Sequence, residues 1–242
     1  MKRFPDELEA LLSPRGLRVL RGKDAKGSGA LRRGPFFAEA GLLREDALAG
    51  CTKLLAKAFT ELLVEMNRPL PDAKQGLLPY SEKLPKVARM RTVPRAENLQ
   101  SPSYVRAEEI GLAAMMQSES YRAFAAAIAG APLQGPENLQ VLCYQAGDYA
   151  GPHTDHHPEE PRMFDGYVDM HLSFCTPGIT EQLLVYERDG HLTEVTSIAQ
   201  AGLVTVYRLP FWHYTTPLQV KKDSARRWLV LGTFFDALSA ST

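Results

Sequence analysis

The sequence predicts an α+β chain, mainly β in its second half: a sandwich or barrel closed on itself, with helices against one outer face. Two patterns predict this. Up to about residue 135 the apolar residues recur at helical spacing or show no period. From Asn138 onward they fall in short β-branched and aromatic runs separated by Gly, Pro and Asp breaks. The chain is read as a single domain, 1–242, with 1–135 a helical and loop support region and 138–236 the β core.

Taken in order, Phe4 to Leu12 is a short helical candidate closed by Ser13-Pro14, and Leu17 to Leu20 reads as a strand. The clearest helix spans Arg44 to Met66, where Leu48, Cys51, Leu55, Phe59, Leu62, Leu63 and Met66 make one apolar stripe. Asn67 to Ser103 is rich in proline and lacks periodicity, which reads as a long loop. Its basic run Lys83, Lys86, Arg89, Arg91 and Arg95 suits a solvated surface, or a lid that meets an anionic or peptide substrate. Ala107 to Gly130 returns to helix, with Ser118 as a cap and Gly130-Ala131-Pro132 as a stop. The strands then follow as Leu139–Tyr144, Tyr149–His153, Tyr167–Cys175, Gln182–Tyr186, Leu192–Val195, Leu203–Arg208, His213–Pro217 and Trp228–Phe235.

Composition narrows the function classes. Lysine plus arginine and aspartate plus glutamate each number 28, so no chain-wide basic footprint points to nucleic acid, which is not expected as a partner. Three cysteines without a C-x-x-C pair exclude a disulfide framework and a cysteine zinc site, and suit a reducing cytoplasm. No apolar run reaches membrane-spanning length, so no membrane partner is expected.

The stretch Y-Q-A-G-D-Y-A-G-P-H-T-D carries the chemistry. His153 and Asp155 stand one residue apart, so an extended strand projects an imidazole and a carboxylate from one face. That pair suits a divalent metal of intermediate hardness, and a second histidine would complete a two-histidine, one-carboxylate set. His213, at the start of the seventh expected strand, is the candidate, with strands two and seven facing each other across the barrel mouth. Arg226-Arg227 opens the last strand, where a buried guanidinium makes sense if a ligand supplies its carboxylate. Tyr144 offers a hydroxyl donor to the same carboxylate. His156 and His157 read as rim residues, His191 as an exposed turn, and Cys143 and Cys175 as small core residues.

These residues resemble the iron(II)- and 2-oxoglutarate-dependent dioxygenases, in particular the prolyl-4-hydroxylase-like branch. The resemblance covers roughly the last hundred residues: Y-Q-A-G-D-Y-A-G-P-H-T-D, D-G-Y-V-D-M-H-L-S-F, G-L-V-T-V-Y, W-H-Y-T-T-P-L and R-W-L-V-L-G-T-F-F-D. It implies a double-stranded β-helix, a cupin-like jelly-roll barrel, as the catalytic core. It implies Fe(2+) held by His153, Asp155 and His213, with 2-oxoglutarate and dioxygen as co-substrates. The distal carboxylate of 2-oxoglutarate then falls to Arg227 and Tyr144, with Arg226 a rival to Arg227 because Lys221-Lys222-Asp223 lengthens the preceding segment. Phe174 stands where some members carry a second tyrosine. The resemblance also turns the apolar residues of Y-V-D-M-H-L-S-F toward the cavity and makes His171 structural, with Asp165-Gly166 a turn. Because the carboxylate position is filled by Asp155, it implies hydroxylation rather than halogenation. The substrate class it implies is amino-acid, peptidyl or small-molecule. Two other classes fit parts of the pattern: a zinc hydrolase using H-T-D-H-H, and a non-catalytic barrel that binds partners through its proline-rich loop.

Overall fold

Ser13-Pro14 opens a helix instead of closing one. The Ser13 side chain accepts a hydrogen bond from the Gly16 amide, and proline at the helix start lacks only an N–H that would be orphaned there, so α1 runs Pro14–Leu20. Leu17 to Leu20, expected as a strand, is therefore the end of α1, and the first expected helix shrinks to a 3-10 turn, Leu8–Leu11. The computed structural model describes residues 1–69, 87–136, 140–155 and 167–236. Lys83, Lys86, His156, His157 and Asp165-Gly166 lie outside the described residues.

The long amphipathic helix is real but shorter than its stripe suggested. Helix α2 spans Glu45–Phe59 and buries Cys51, Leu54, Leu55, Ala58 and Phe59. After a 3-10 turn, Thr60–Leu62, the chain becomes a strand, so Met66 belongs to a hairpin and not to the helix. Three further helices follow: α3 Pro102–Glu109, α4 Leu112–Gln117 and α5 Glu119–Ala129. Ser118 caps α5 by accepting from the Tyr121 amide, and Gly130 ends it at φ 73°, a left-handed conformation that a Cβ disfavours. Among the described residues no helix is long and apolar enough to cross a membrane.

The strands in chain order are β1 Phe36–Glu39, β2 Val64–Pro69, β3 Val87–Thr92, β4 Leu133–Gln134, β5 Gln140–Tyr144, β6 Tyr149–His153 and β7 Val168–Cys175. They continue as β8 Ile179–Glu181, β9 Leu183–Arg188, β10 His191–Ser197, β11 Val204–Arg208, β12 His213–Thr215, β13 Gln219–Val220 and β14 Arg227–Asp236. The main sheet is antiparallel, in the order β1-β11-β7-β14-β5-β3-β6-β12-β9-β10, with β2 added on β3 and β4 on β14; β8 and β13 form a separate pair. Strand β3 joins its two halves. Arg91 and Thr92 pair with β5, whereas Ala88 and Arg89 pair with β6, so the sheet folds over on itself into a nearly closed, barrel-like jelly roll. The stretch read as a long loop thus contributes the β2–β3 hairpin that closes the barrel.

The half β11-β7-β14-β5 carries the helices on its outer face. Met170, Leu172 and Phe174 of β7, Val204 and Val206 of β11, and Trp228, Val230 and Phe234 of β14 pack with Leu55, Phe59, Phe124 and Ile128 in one core. Each such large side chain, fully buried, stabilises the fold by roughly 1.5–3 kcal/mol. Gly232 lets α5 approach closely, since a Cβ there would meet the Tyr121 ring at 2.8 Å. This outer core corrects the face assigned to β7. Its apolar residues serve the helices, and Asp169, His171 and Ser173 turn inward. The helices need an apolar partner surface, and the strand offers only one such face.

Candidate active site

The inner face of the barrel encloses a cavity of about 460 Å³. Strand β6 delivers His153, and β12 delivers His213 as its hydrogen-bonded neighbour in direct register, so the two strands lie side by side and do not face each other across the mouth. Asp155 lies two residues beyond the end of β6 and folds its carboxylate back onto the imidazoles. His153 Nε2 is 3.3 Å from Asp155 Oδ1, and His213 Nε2 is 3.9 Å from Asp155 Oδ2. One ligand atom from each of the three residues lies within 4.8 Å of the other two.

Backbone carbonyls select the tautomers. His153 Nδ1 donates to the Gly151 carbonyl at 2.7 Å, and His213 Nδ1 to the Phe211 carbonyl at 2.9 Å. Both Nε2 atoms are left to face Asp155, which is how metal-ligating histidines are oriented. Ligands about 2.1 Å from one ion lie about 3 Å or more apart, so this nitrogen, nitrogen, oxygen set fits a single ion of the iron or zinc type.

In the metal-free chain the charges of the three residues are linked: burial works against a charge on His153, but Asp155 outweighs it and raises its pKa, so a metal would bind by displacing that proton. Burial works against a charge on Asp155, but His153, His213 and the Tyr207 hydroxyl outweigh it and hold its carboxyl well below the usual range. Burial, reinforced by the neighbouring His153, lowers His213 to about 4, so its imidazole is neutral and available as a ligand.

Two groups from the inner row support Asp155. The Tyr207 hydroxyl donates to Asp155 Oδ2 at 2.5 Å and lies 3.1 Å from His171 Nε2. A hydroxyl has one proton, and Tyr207 gives it to the carboxylate; His171 Nε2 is then the donor to Tyr207. Burial lowers His171 to about 3, consistent with a neutral ring. His171 is therefore a cavity residue that orients Asp155 through Tyr207. The alternation D-x-H-x-S in β7 carried that signal; nothing in the sequence singled out Tyr207.

Deeper in the barrel stands Arg227, 2% exposed. Its Nε donates to Ser173 Oγ at 3.1 Å and its Nη1 to Gln182 Oε1 at 3.0 Å. No carboxylate among the described residues pairs with it, and burial lowers its pKa. Tyr144 lies opposite Arg227 in the β5–β14 register, its ring centroid 5.6 Å from the guanidinium carbon, and burial pushes its hydroxyl up to about 12. Arg226 points elsewhere, its Nη1 donating to the Asp223 and Ala225 carbonyls, because neighbours on a strand take opposite faces. Phe174 is on the helix side, edge-on to Phe4, and Ser173 holds the cavity position beside Arg227. Gln182, fully buried, had no sequence signal at all.

Neither the protein-family models nor the curated proteins include a sequence match to this chain. Among solved structures the chain resembles a 2OG-Fe(II) oxygenase family oxidoreductase from Burkholderia pseudomallei, with a TM-score of 0.55 and 14% identity over 87% of this chain and 90% of that one. It also resembles a prolyl hydroxylase from Trichoplax adhaerens in complex with a hypoxia inducible factor peptide fragment (TM-score 0.51, 12% identity, 94% and 92% covered). A third is the epimerase SnoN in complex with Fe3+, alpha ketoglutarate and nogalamycin RO (TM-score 0.52, 13% identity, 92% and 84% covered). The fold is that of the 2OG-Fe(II) oxygenases, prolyl hydroxylases among them.

Proposed function

We propose that this chain is an iron(II)- and 2-oxoglutarate-dependent dioxygenase that hydroxylates an unactivated carbon of an amino-acid, peptidyl or small-molecule substrate. One juxtaposition carries the reading. Two imidazole Nε2 atoms and a carboxylate converge in a cavity that also holds a buried guanidinium lacking a carboxylate partner among the described residues. A zinc hydrolase needs the first feature and has no use for the second; a keto-diacid co-substrate uses both. The fold shared with 2OG-Fe(II) oxygenases supports the same reading.

In this reading His153, Asp155 and His213 would hold the metal. Iron(II), when bound, supplies dioxygen activation and the one-electron chemistry that oxidation of an unactivated C–H bond requires. Arg227 receives the distal carboxylate of 2-oxoglutarate, with the Tyr144 hydroxyl as a further donor. Ser173 and Gln182 fix the guanidinium plane, so little is spent in ordering it when the acid arrives. Leu142 and Leu229, packed in one buried cluster, give the same cavity an apolar stretch of wall. His171 and Tyr207 keep Asp155 deprotonated and aimed. The chain works as one domain with 138–236 as catalytic core, in the cytoplasm.

Succinate release from 2-oxoglutarate by purified protein tests this. Release that requires iron(II) and disappears in His213→Ala is the expected outcome. Zinc retained through chelation, with no succinate under any condition, would overturn the proposal.

A further inference from the structure

We propose that Asp169 is the substrate-docking group of this site, receiving a free amino group of the substrate, so that the substrate is a compound with an unblocked amine. This rests on the oxygenase reading above. The register places Asp169 at the opposite end of the cavity from Arg227. On β14 the inward row runs Arg227, Leu229, Leu231, Thr233; Arg227 stands opposite Cys175 of β7, and Thr233 stands opposite Asp169. Six residues at about 3.3 Å each separate the two ends by roughly 20 Å. Asp169 also pairs in register with Tyr207, which is bonded to Asp155. Asp169 thus lies at the end of the cavity near Asp155, away from Arg227. The co-acid uses the Arg227 end, and Asp169 faces the remaining space.

Asp169 itself is built to receive something. It is only 6% exposed, it lines the cavity, and its enclosed Oδ1 has no hydrogen-bond partner among the described residues. A buried carboxylate oxygen in that state is costly and calls for a donor. Among the described residues none that bonds to it or lies beside it in register supplies a cation. Thr233 offers a hydroxyl, the Tyr207 proton goes to Asp155, and His171 is a neutral ring. Burial, with the nearby Asp155 charge, pushes the Asp169 carboxyl up to about 7 in the metal-free chain. Around the metal the formal charges balance, a divalent ion and Arg227 against Asp155 and a doubly ionised co-acid, and Arg68 and Arg95 add positive charge elsewhere on the cavity wall. The charge of Asp169 is left for the substrate, and an ammonium both fills the bond and neutralises it, which a hydroxyl would not. Arg68 of β2 and Arg95, just beyond β3, line the same cavity, so amines that also carry a carboxylate should outrank simple amines.

The test is a panel of free L-amino acids, primary alkyl and aryl amines and dipeptides, each beside its N-acetyl form, scored by stimulation of succinate release with iron(II) and 2-oxoglutarate saturating. At least one free amine should stimulate, and its N-acetyl form should lose at least ten-fold. Asp169→Asn should raise KM for that amine about 100-fold, change kcat less, and bring the free and acetylated forms close together. Iron content of the same variant reports whether the His153, Asp155 and His213 set is intact. Stimulation by acetylated and free forms alike, or by no amine while unstimulated turnover persists, overturns the assignment of Asp169. Loss of both iron binding and unstimulated turnover in the wild type is the separate failure of the oxygenase reading, and this inference falls with it.

Discussion

Strand β7 has two faces that obey opposite rules. Its outward residues, Val168, Met170, Leu172 and Phe174, are all fully buried among helix side chains. Its inward residues are polar, Asp169 and Ser173 nearly as buried and His171 partly so, yet each is engaged with the site: Asp169 beside Thr233, His171 with Tyr207, Ser173 with Arg227. The outer face is satisfied by packing and needs no ligand. The inner face contains a carboxylate oxygen and a guanidinium whose matching partners are missing from the described residues. Burial therefore does not tell the two apart; whether each buried group is matched does. Substitutions on the outer face should remove stability and spare the site, and those on the inner face should do the reverse.

The largest effects should come at the extremes of that division. His213→Ala should abolish iron binding, measured as metal per chain after dialysis, while the melting temperature of the metal-free protein shifts by only a few degrees. Retained iron would mean that the three residues do not act as one ligand set. On the other face, Phe174→Ala should cost about 3–5 kcal/mol in denaturant unfolding, because a large side chain leaves a cavity that the helices cannot collapse into. Iron per folded chain should be unchanged; a parallel loss of iron would show the faces to be coupled.

How much of this was legible depended on whether a residue's partners were local. The strands from β5 to β14 announce themselves through β-branched runs and turn breaks, and Tyr149–His153 has the bounds the sequence suggested. His153 and Asp155 are two residues apart, so a same-face argument brings them together even though Asp155 lies past the strand end. The β2–β3 hairpin was not legible, because its strands are separated by a proline-rich stretch and gain their pattern only from β5 and β6. The facing of β7 was misread for a related reason. Both of its sides are buried, and only the helices, distant in sequence, decide which one is the core. Gln182 and Tyr207 act through tertiary contacts alone, and no spacing rule could have found them.

Within the inner face, Arg227 and Arg226 make a matched pair for the co-acid. Arg227→Ala should raise the 2-oxoglutarate requirement about 100-fold with iron retained, the loss expected when a buried charge-assisted pair is cut. Arg226→Ala should change it less than two-fold, since its guanidinium binds the 223–225 turn. The opposite ranking in titrations of succinate release would reverse the inward row of β14. Asp169 gives a pH signature in the metal-free protein. Its folded pKa of about 7 lies above its ordinary 3.8, so the folded state favours its protonated form. That contribution to stability is fully present below about pH 4 and is lost as pH rises through 7. Asp169→Asn removes the titration. It should therefore be more stable than the wild type at pH 8 by on the order of 2 kcal/mol, with the gap closing toward pH 4 in urea unfolding.

The smallest effect asks whether a group that reaches the site through Arg227 matters for function. Ser173→Ala deletes one hydrogen bond to the guanidinium Nε and leaves the Gln182 bond in place. A neutral-to-charged bond of this kind contributes about 1.5–3 kcal/mol when both partners stay buried. Part of that returns, because the freed Nε can reach water or the co-acid in the cavity. The expected outcome is a rise of about three- to ten-fold in the 2-oxoglutarate KM with kcat nearly constant, and rescue by Ser173→Thr, which keeps the hydroxyl on the inward face. A structural role alone would lower the melting temperature and leave KM where it was. The distinction bears on the comparison of the two faces directly, since it decides whether Ser173 is simply polar filler or part of what holds Arg227 ready for a carboxylate.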